Sequence, residues 1–371
     1  MFIKSGRSLI FLFLLWNTVV LADDVPILPI GASAPDFNLL GIDGQYHSLK
    51  SYDDAQVLVI VFTANHCPTA QIYEDRIIDL VKDYKDKGVA VVAISSNNPD
   101  AIRLDELGYT DMSDTFEEMK LRAKEKNFNF PYLYDGDQQA ALRAYGPTST
   151  PHLFIFDKER KCRYTGHIDD SEDITKVKSR DARNAIDALL AGKPVPVETT
   201  KTFGCSMKWA SLKETAEKAI RTWNAEEVGV EMIDVDGIRQ LLKNDSEKLR
   251  LINVWATWCG PCISEFPELI KINRMFRHRD FEMVTISADD PGKKADVLKF
   301  LKRNYASCQN YHFSSDDKYA LIEAVDSAWP GALPYTVLVK PGGEIIFRKL
   351  GMIDQLELRK AIVDYLGREY P

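Results

Sequence analysis

Cysteine is scarce in this chain. Six cysteines in 371 residues are too few for a scaffold held together by many disulfides, so each must be interpreted by itself. Histidine is equally scarce, with six residues, and no two of them have the spacing of a zinc-binding pair. The sequence also has no low-complexity tract, and 45% of its residues are apolar, which indicates a folded globular protein rather than a disordered one.

Positive charge is in deficit. The 47 basic residues are outnumbered by 55 acidic ones, which gives a formal net charge of −8. An acidic protein has no electrostatic attraction to nucleic acid or to anionic lipid. The sequence therefore predicts neither of these as a partner.

The first 22 residues have the features of a secretory signal peptide. Lys4 and Arg7 precede an apolar run over residues 9–21, and Ala22 ends a plausible cleavage site. The alternative is an uncleaved membrane anchor, but the run is short for a span of about 20 residues. We expect an exported protein, in the periplasm or cell envelope, whose mature chain begins near Asp23.

The length of the chain favours two domains, and the sequence contains one internal duplication. An apolar run ending in a cysteine occurs at Cys67 (VIVFTANHCPTA) and again at Cys259 (INVWATWCGPC), and the segments that follow, 71–87 and 263–278, are predicted to be helices. The remaining elements also correspond, namely second strands at 89–95 and 281–287, hairpins after Pro151 and Pro334, and final helices at 181–190 and 356–366. This order predicts α/β domains with mixed sheets at 23–206 and 207–371.

The segment Cys259-Gly260-Pro261-Cys262 carries the strongest chemical signal. A thiol at a strand-to-helix junction lies at the positive end of the helix dipole, which lowers its pKa from about 8.5 towards 7. We therefore expect Cys259 to be the nucleophile and Cys262 to resolve the mixed disulfide. Half of a zinc site, a haem attachment and a purely structural disulfide are the alternatives. No second cysteine pair follows, and Ile263 stands where haem attachment needs histidine.

The segment VWATWCGPCISEFPEL resembles the thioredoxin superfamily, specifically the exported thiol-disulfide oxidoreductases of the TlpA/ResA type, over about residues 230–371. The resemblance implies protein disulfide substrates, a membrane-bound electron donor, and neither cofactor nor metal. It also assigns roles to single residues. Glu265 would tune the cysteines, although an acidic residue in the first helical turn also favours the dipole. The implied cis-proline is Pro334, and substrate contacts are implied for Trp258, Gly260, Pro261 and Leu333.

Residues 30–205 resemble the AhpC/TSA (redoxin) group, the peroxiredoxin-like branch of the same superfamily. The segments GASAPDF, FTANHCPTAQIYEDR and STPHLFIFD carry this resemblance, and Pro151 would be the corresponding cis-proline, with a role in substrate binding. Cys67 aligns with Cys259, but Ala70 stands where the second cysteine would be. Relatives often have further cysteines where this chain has Ala64 and Ser149.

The role of Cys67 is open on the sequence alone. It is a candidate catalytic thiol, because it heads a helix, and we expect it to be alkylated faster than Cys162 or Cys308. A metal site with His66 and His152 and a degenerate, purely structural domain are the alternatives.

The other cysteines have weaker signals. We expect Cys162 and Cys308 to be buried and inert. Cys205 is a possible partner of Cys67, but sequence spacing cannot establish a pairing.

Three functional hypotheses follow. The first is an exported enzyme that reduces or exchanges protein disulfides through the C-terminal dithiol. The second is a peroxidase in which Cys67 reduces a peroxide and the dithiol recycles it. The third is a non-catalytic N-terminal module that recruits a client for the C-terminal domain.

Overall fold

The computed structural model describes residues 25–368. The predicted signal peptide at 1–22 lies outside the described residues. The described chain contains two units, each built around its own mixed sheet.

The first unit contains the following elements: β1 (Asn38–Gly41), β2 (Tyr46–Ser48), β3 (Val57–Thr63), α1 (Pro68–Tyr84), β4 (Val89–Ser95), α2 (Phe116–Lys126), β5 (Tyr132–Tyr134), α3 (Ala140–Tyr145), β6 (Ser149–Thr150), β7 (His152–Phe156), β8 (Cys162–Gly166), α4 (Asp181–Leu190) and β9 (Cys205–Ser206). Its main sheet has seven strands in the order β2-β1-β5-β4-β3-β7-β8, and β6 pairs with β9 in a separate ladder. Apolar clusters cover both faces of the main sheet.

The centre of this sheet fixes the position of the first cysteine. All seven residues of β3 are buried, and the strand pairs with β4 in parallel and with β7 in antiparallel orientation. A strand covered on both faces needs a continuous apolar run, which VLVIVFT supplies. Helix α1 follows, with Cys67 as its N-cap and Pro68 in its first turn, where proline costs no hydrogen bond.

The second unit contains α5 (Lys213–Asn224), β10 (Glu231–Ile233), α6 (Val235–Lys243), β11 (Leu249–Trp255), α7 (Gly260–Phe276), β12 (Phe281–Ser287), α8 (Lys294–Arg303), β13 (Gln309–Phe313), α9 (Lys318–Val325), β14 (Tyr335–Val339), β15 (Ile345–Leu350) and α10 (Gln355–Leu366). Its sheet has six strands in the order β10-β13-β12-β11-β14-β15. The central strand β11 is again buried throughout, and Cys259 is the N-cap of the helix that follows it. The predicted α/β fold with mixed sheets, occurring twice, is confirmed.

Helices α1 and α7 begin earlier than predicted. We placed their starts at Gln71 and Ile263, whereas the structure begins them at Pro68 and Gly260. Each cysteine is the N-cap of its helix, so the residues between the cysteine and the expected start form the first helical turn.

The two units pack against each other along α7. A turn of 3-10 helix at Leu104–Tyr109 lies on this helix, and Leu107 joins the apolar cluster of the second unit. A Cβ atom on Gly108 would lie 2.1 Å from the carbonyl oxygen of Met275, so only glycine allows this approach. Ion pairs join α10 to α2, including one of 2.5 Å between Arg359 and Glu118.

The segment between the units stays attached to the first one beyond β9. The backbone N–H of Lys208 donates to Asn97 at 2.7 Å, and that of Ala210 donates to Gln139 at 2.8 Å. The domain boundary near residue 206 stays a prediction. Within residues 25–368, no helix combines the length and apolar character needed to cross a membrane.

Candidate active site

The dithiol of the second unit is in its disulfide form. The S–S distance between Cys259 and Cys262 is 2.02 Å, and their Cα atoms are 5.3 Å apart. Cys259 Sγ accepts a hydrogen bond of 3.3 Å from the backbone N–H of Cys262. Cys259 is 6% exposed and Cys262 is fully buried. The sulfur at the helix start is therefore the one that an incoming disulfide can reach.

The surroundings of Cys259 leave room for a large substrate. Trp258, next to the sulfur, is 68% exposed although it is a large apolar residue. Gly260 and Pro261 are also exposed. The bond between Leu333 and Pro334 is cis, as predicted, and half-buried Leu333 packs against the cluster that contains both cysteines. Trp258, Gly260 and Pro261 thus adjoin the two cysteines along the chain, and the roles expected of them and of Leu333 stay predictions.

A buried polar network lies beside the disulfide. Asn253, in the middle of β11, donates to Glu265 Oε1 at 3.2 Å and to Thr336 Oγ1 at 2.9 Å. The other carboxyl oxygen of Glu265 accepts from the backbone N–H of Ile353 at 2.8 Å. Burial raises the pKa of Glu265, although these hydrogen bonds oppose the shift. Glu265 lies one turn after Cys262, on the same side of α7.

Asp289 holds the loop before the dithiol. Its carboxylate accepts from the backbone N–H of Thr257 at 2.9 Å and from the hydroxyl of Thr257 at 2.5 Å. The sequence reasoning missed both Asp289 and Asn253. The signal for Asn253 was a polar residue inside an otherwise apolar strand, INVW. Asp289 lies 27 residues after the motif, so sequence spacing does not connect it to the loop.

Cys67 of the first unit is fully buried, and its faster alkylation stays a prediction. Its Sγ donates to the carbonyl oxygen of Thr150 at 3.2 Å and accepts from the backbone N–H of Ala70 at 3.3 Å. Burial would raise the pKa of Cys67, but a hydrogen bond with Cys205, the charge of His66, the Thr150 side chain and the Ala70 backbone N–H lower it to about 6. The bond between Thr150 and Pro151 is cis, as predicted, and Pro151 is buried.

The two histidines near Cys67 have different surroundings. His66 Nδ1 lies 2.6 Å from Asp114 Oδ2, and its Nε2 has no hydrogen-bond partner among residues 25–368. His152 bonds through Nδ1 to the backbone N–H of Thr148 and through Nε2 to Thr165. Both nitrogens of His152 are therefore occupied by protein groups, and the metal site with His66 and His152 stays a prediction.

The remaining thiols differ in exposure. Cys162 is fully buried in β8, as predicted, whereas Cys308 is half-buried and its thiol lies 3.4 Å from Asn310 Oδ1. Burial raises the pKa of each to about 12. In the part of the chain that the structure describes, no cluster of three or more metal-binding side chains is present.

The fold and the two helix-capping cysteines define the class of protein, which is a tandem thioredoxin-superfamily protein. The AhpC/TSA family matches residues 30–165, and the Redoxin family matches residues 216–362. The chain therefore belongs to this superfamily through two successive domains, one of each family. The family matches lie on either side of the predicted boundary.

Curated relatives are named for disulfide chemistry. The chain is 29% identical over 113 residues to the thiol-disulfide oxidoreductase ResA of Bacillus subtilis, a match that covers 30% of this chain and 59% of that protein. It is 31% identical over 109 residues to ResA of Oceanobacillus iheyensis, covering 29% and 53% of the two chains. The matched segment thus spans a little over half the length of each relative.

Solved structures are also similar. An uncharacterized conserved protein from Geobacillus kaustophilus is 38% identical, with 49% of this chain and 92% of that chain covered and a TM-score of 0.44. The thioredoxin domain of a thiol-disulfide oxidoreductase from Bacteroides vulgatus is 19% identical, with 36% and 86% covered and a TM-score of 0.30.

Proposed function

We propose that this protein is a thiol-disulfide oxidoreductase that reduces or exchanges disulfides of other proteins through Cys259 and Cys262. The observation that carries the proposal is the asymmetry of the pair: Cys259 caps a helix and is slightly exposed, while Cys262 is buried one turn further on. The names of the curated relatives support the same chemistry.

The reaction follows from this geometry. In the reduced protein the Cys259 thiolate, stabilised by the helix N-terminus, attacks one sulfur of the substrate disulfide and releases the first substrate thiol. Cys262 then attacks Cys259 Sγ, which releases the second thiol and closes the disulfide seen in the structure. The substrate gains two electrons and two protons, and the dithiol loses them. Glu265 is placed to accept the Cys262 proton, because burial favours its neutral form.

Protein substrates fit the surface around Cys259 better than small ones. The exposed indole of Trp258 supplies apolar contact area, and backbone next to cis-Pro334 offers a docking site for an extended strand.

Reduction of insulin by dithiothreitol, followed by turbidity, tests the activity. We expect the wild-type protein and Cys308→Ser to accelerate it and Cys259→Ser to lose the acceleration; equal rates with and without wild-type protein would contradict the proposal.

Export and a membrane-bound electron donor complete the proposal. The segment with Lys4, Arg7 and the apolar run at 9–21 supports export to the periplasm or cell envelope. Mass spectrometry of the mature protein should find an N-terminus near Asp23, and a mature chain that retains Lys4 would contradict export by cleavage. A reduction potential near that of reductants, about −270 mV, rather than of oxidants, about −120 mV, would support a donor that keeps the dithiol reduced.

A second candidate activity is the reduction of peroxide by Cys67, which the dithiol of the second domain would then restore to its thiol form. The lowered pKa of Cys67 favours it, because peroxides react with thiolates. Its complete burial limits the oxidant to a very small molecule. Hydrogen peroxide consumption that persists in Cys67→Ser would contradict this candidate.

A further inference from the structure

The first domain lacks both cysteines that would complete a motif around Cys67. Ala64 stands three residues before it and Ala70 three residues after it. Both alanines lie beside Cys67 in one small buried cluster. The positions from which a resolving thiol would ordinarily reach Cys67 are therefore occupied by methyl groups.

A cysteine distant in sequence lies at this same cluster. Cys205 packs against Ala64, Cys67 and Ala70, and its side chain hydrogen-bonds the Cys67 thiol. The contact joins residues 138 positions apart, so it is made by the fold and not by local sequence.

The backbone holds Cys205 at this position. Strand β9 pairs with β6 in antiparallel register, with Cys205 opposite Thr150, and the Thr150 carbonyl oxygen accepts from Cys67 Sγ at 3.2 Å. At Gly204, a Cβ would lie 2.1 Å from the Thr150 carbonyl oxygen, and its φ of 122° is one that other residues rarely adopt. The glycine thus allows the strand to approach the start of α1 closely.

We infer that Cys67 and Cys205 form a second redox-active dithiol, which exchanges electrons with disulfides independently of Cys259 and Cys262. Burial decides the roles of the two sulfurs. Cys205 is half-buried, whereas Cys67 is fully buried, so an incoming disulfide meets Cys205 first. This pair goes beyond the activity proposed for the second domain, and it differs from peroxide reduction in using a disulfide as the oxidant.

The exchange balances in two steps. The Cys205 thiolate attacks an external disulfide, forming a mixed disulfide and releasing one thiolate. The Cys67 thiolate then attacks Cys205 Sγ, which releases the second thiolate and leaves a disulfide between Cys67 and Cys205. Two protein thiols are oxidised, one external disulfide is reduced, and the two thiol protons pass to the released thiolates.

Two buried side chains position charge for the second step. His66 and Asp114 are paired at 2.6 Å with both side chains fully buried. The imidazolium that Asp114 stabilises favours the Cys67 thiolate, and the Ala70 backbone N–H adds the field of the helix start. His66 and Asp114 are positioning residues in this account, because neither touches the reacting disulfide.

The test uses the full chain carrying Cys259→Ser and Cys262→Ser, so that only the first domain can form a disulfide by this route. The protein is equilibrated with mixtures of reduced and oxidised glutathione, quenched with acid, alkylated and peptide-mapped. We expect the loss of two thiols per chain in one transition and a mapped linkage between Cys67 and Cys205. Adding Cys162→Ser, in a buried thiol away from the pair, should leave the transition unchanged.

Single replacements in the same background test the order of attack. Cys67→Ser should accumulate a glutathione adduct on Cys205, whereas Cys205→Ala should leave Cys67 as a thiol. The inference would be overturned if both thiols persisted under oxidising glutathione. It would also be overturned if Cys205 kept a stable glutathione adduct in the protein that still contains Cys67. Far-UV circular dichroism and thermal unfolding of Cys205→Ala check that the variant folds. Insulin reduction by the same variant with the second dithiol intact uses the other dithiol, so the two proposals fail separately.

Discussion

His66, the residue directly before Cys67, has its Nδ1 2.6 Å from Asp114 Oδ2, and both side chains are fully buried. Asp114 also accepts from the backbone N–H groups of Asn65 and His66 and from the side chain of Asn97. Burial would lower the pKa of His66, but the charge and hydrogen bond of Asp114 raise it, so the pair favours an imidazolium beside the thiol. The first domain thus keeps the electrostatic setting of a reactive cysteine although its motif is incomplete.

We expect this pair to influence the pH at which Cys67 reacts, because the charge of His66 lowers the pKa of the thiol. We expect His66→Gln to move the midpoint of Cys67 alkylation from about 6 towards the ordinary cysteine pKa, because the stabilising charge is lost. The measurement is the pH profile of modification by a small thiol reagent, quantified at Cys67 by mass spectrometry. The profile of Cys308 should not change, and an unchanged midpoint at Cys67 would remove His66 from the account.

Glu265 is a buried carboxyl with no cationic partner among residues 25–368, and its raised pKa predicts how stability depends on pH. A folded-state pKa above the unfolded value favours the fold at low pH, and this contribution is lost as the pH rises through the folded value. Glu265→Gln should therefore raise the free energy of unfolding at pH 7 and have little effect at pH 4. The Asn253 amide can rotate to accept from the new amide, since its Oδ1 has no hydrogen-bond partner among residues 25–368.

The matched control for this change is Glu268→Gln, one turn further along α7, where the carboxylate pairs with Lys271 near the surface. Denaturant unfolding at the two pH values provides the comparison. If Glu265 takes the Cys262 proton, Glu265→Gln should also flatten the pH profile of insulin reduction, whereas Glu268→Gln should not. Equal destabilisation at both pH values would show that its role is packing alone.

We expect Trp258 to contribute to the binding of protein substrates but not of small ones. Its exposed indole offers contact area to a polypeptide, and burying such a side chain at an interface is worth about 1–3 kcal/mol. We expect Trp258→Ala to lower kcat/KM for insulin about tenfold or more and to leave reduction of a small aromatic disulfide nearly unchanged. Tyr319→Ala, at another highly exposed aromatic residue, is the control. A parallel loss for both substrates would contradict a docking role.

Gly108 marks the contact between the two domains. A methyl group there would overlap the Met275 carbonyl oxygen, so Gly108→Ala should weaken the interface by about 1–3 kcal/mol. The weaker interface should show as faster limited proteolysis between the domains and as less cooperative unfolding. Gly229→Ala, where the added Cβ meets no atom within 4 Å, is the matched control. Identical behaviour of the two variants would contradict a tight contact at Gly108.

Local pattern predicted most of the fold. The apolar runs that became β3, β4, β11 and β12 are long and fully or nearly fully buried, so periodicity and composition identified them. The two-residue ladder of β6 and β9 escaped prediction, because its pairing joins segments more than 50 residues apart. Its strands are too short to have a periodicity of their own.

The sites divide in the same way. Cys259 and Cys262 lie three positions apart in one motif, and local spacing was enough to predict that they can pair. The setting of Cys67 depends on Asp114 and Cys205, which reach it through the tertiary fold. Cys205 packs against the cluster that contains buried Cys67, and no local pattern records this contact.

The central claim is that Cys259 attacks the substrate and Cys262 resolves the intermediate. The most direct measurement incubates reduced Cys262→Ser and reduced Cys259→Ser with a disulfide-bonded protein substrate and maps any mixed disulfide by mass spectrometry. The account predicts a stable adduct through Cys259 in Cys262→Ser and none in Cys259→Ser, since only Cys259 combines the helix start with exposure. A stable adduct through Cys262 in Cys259→Ser would contradict it.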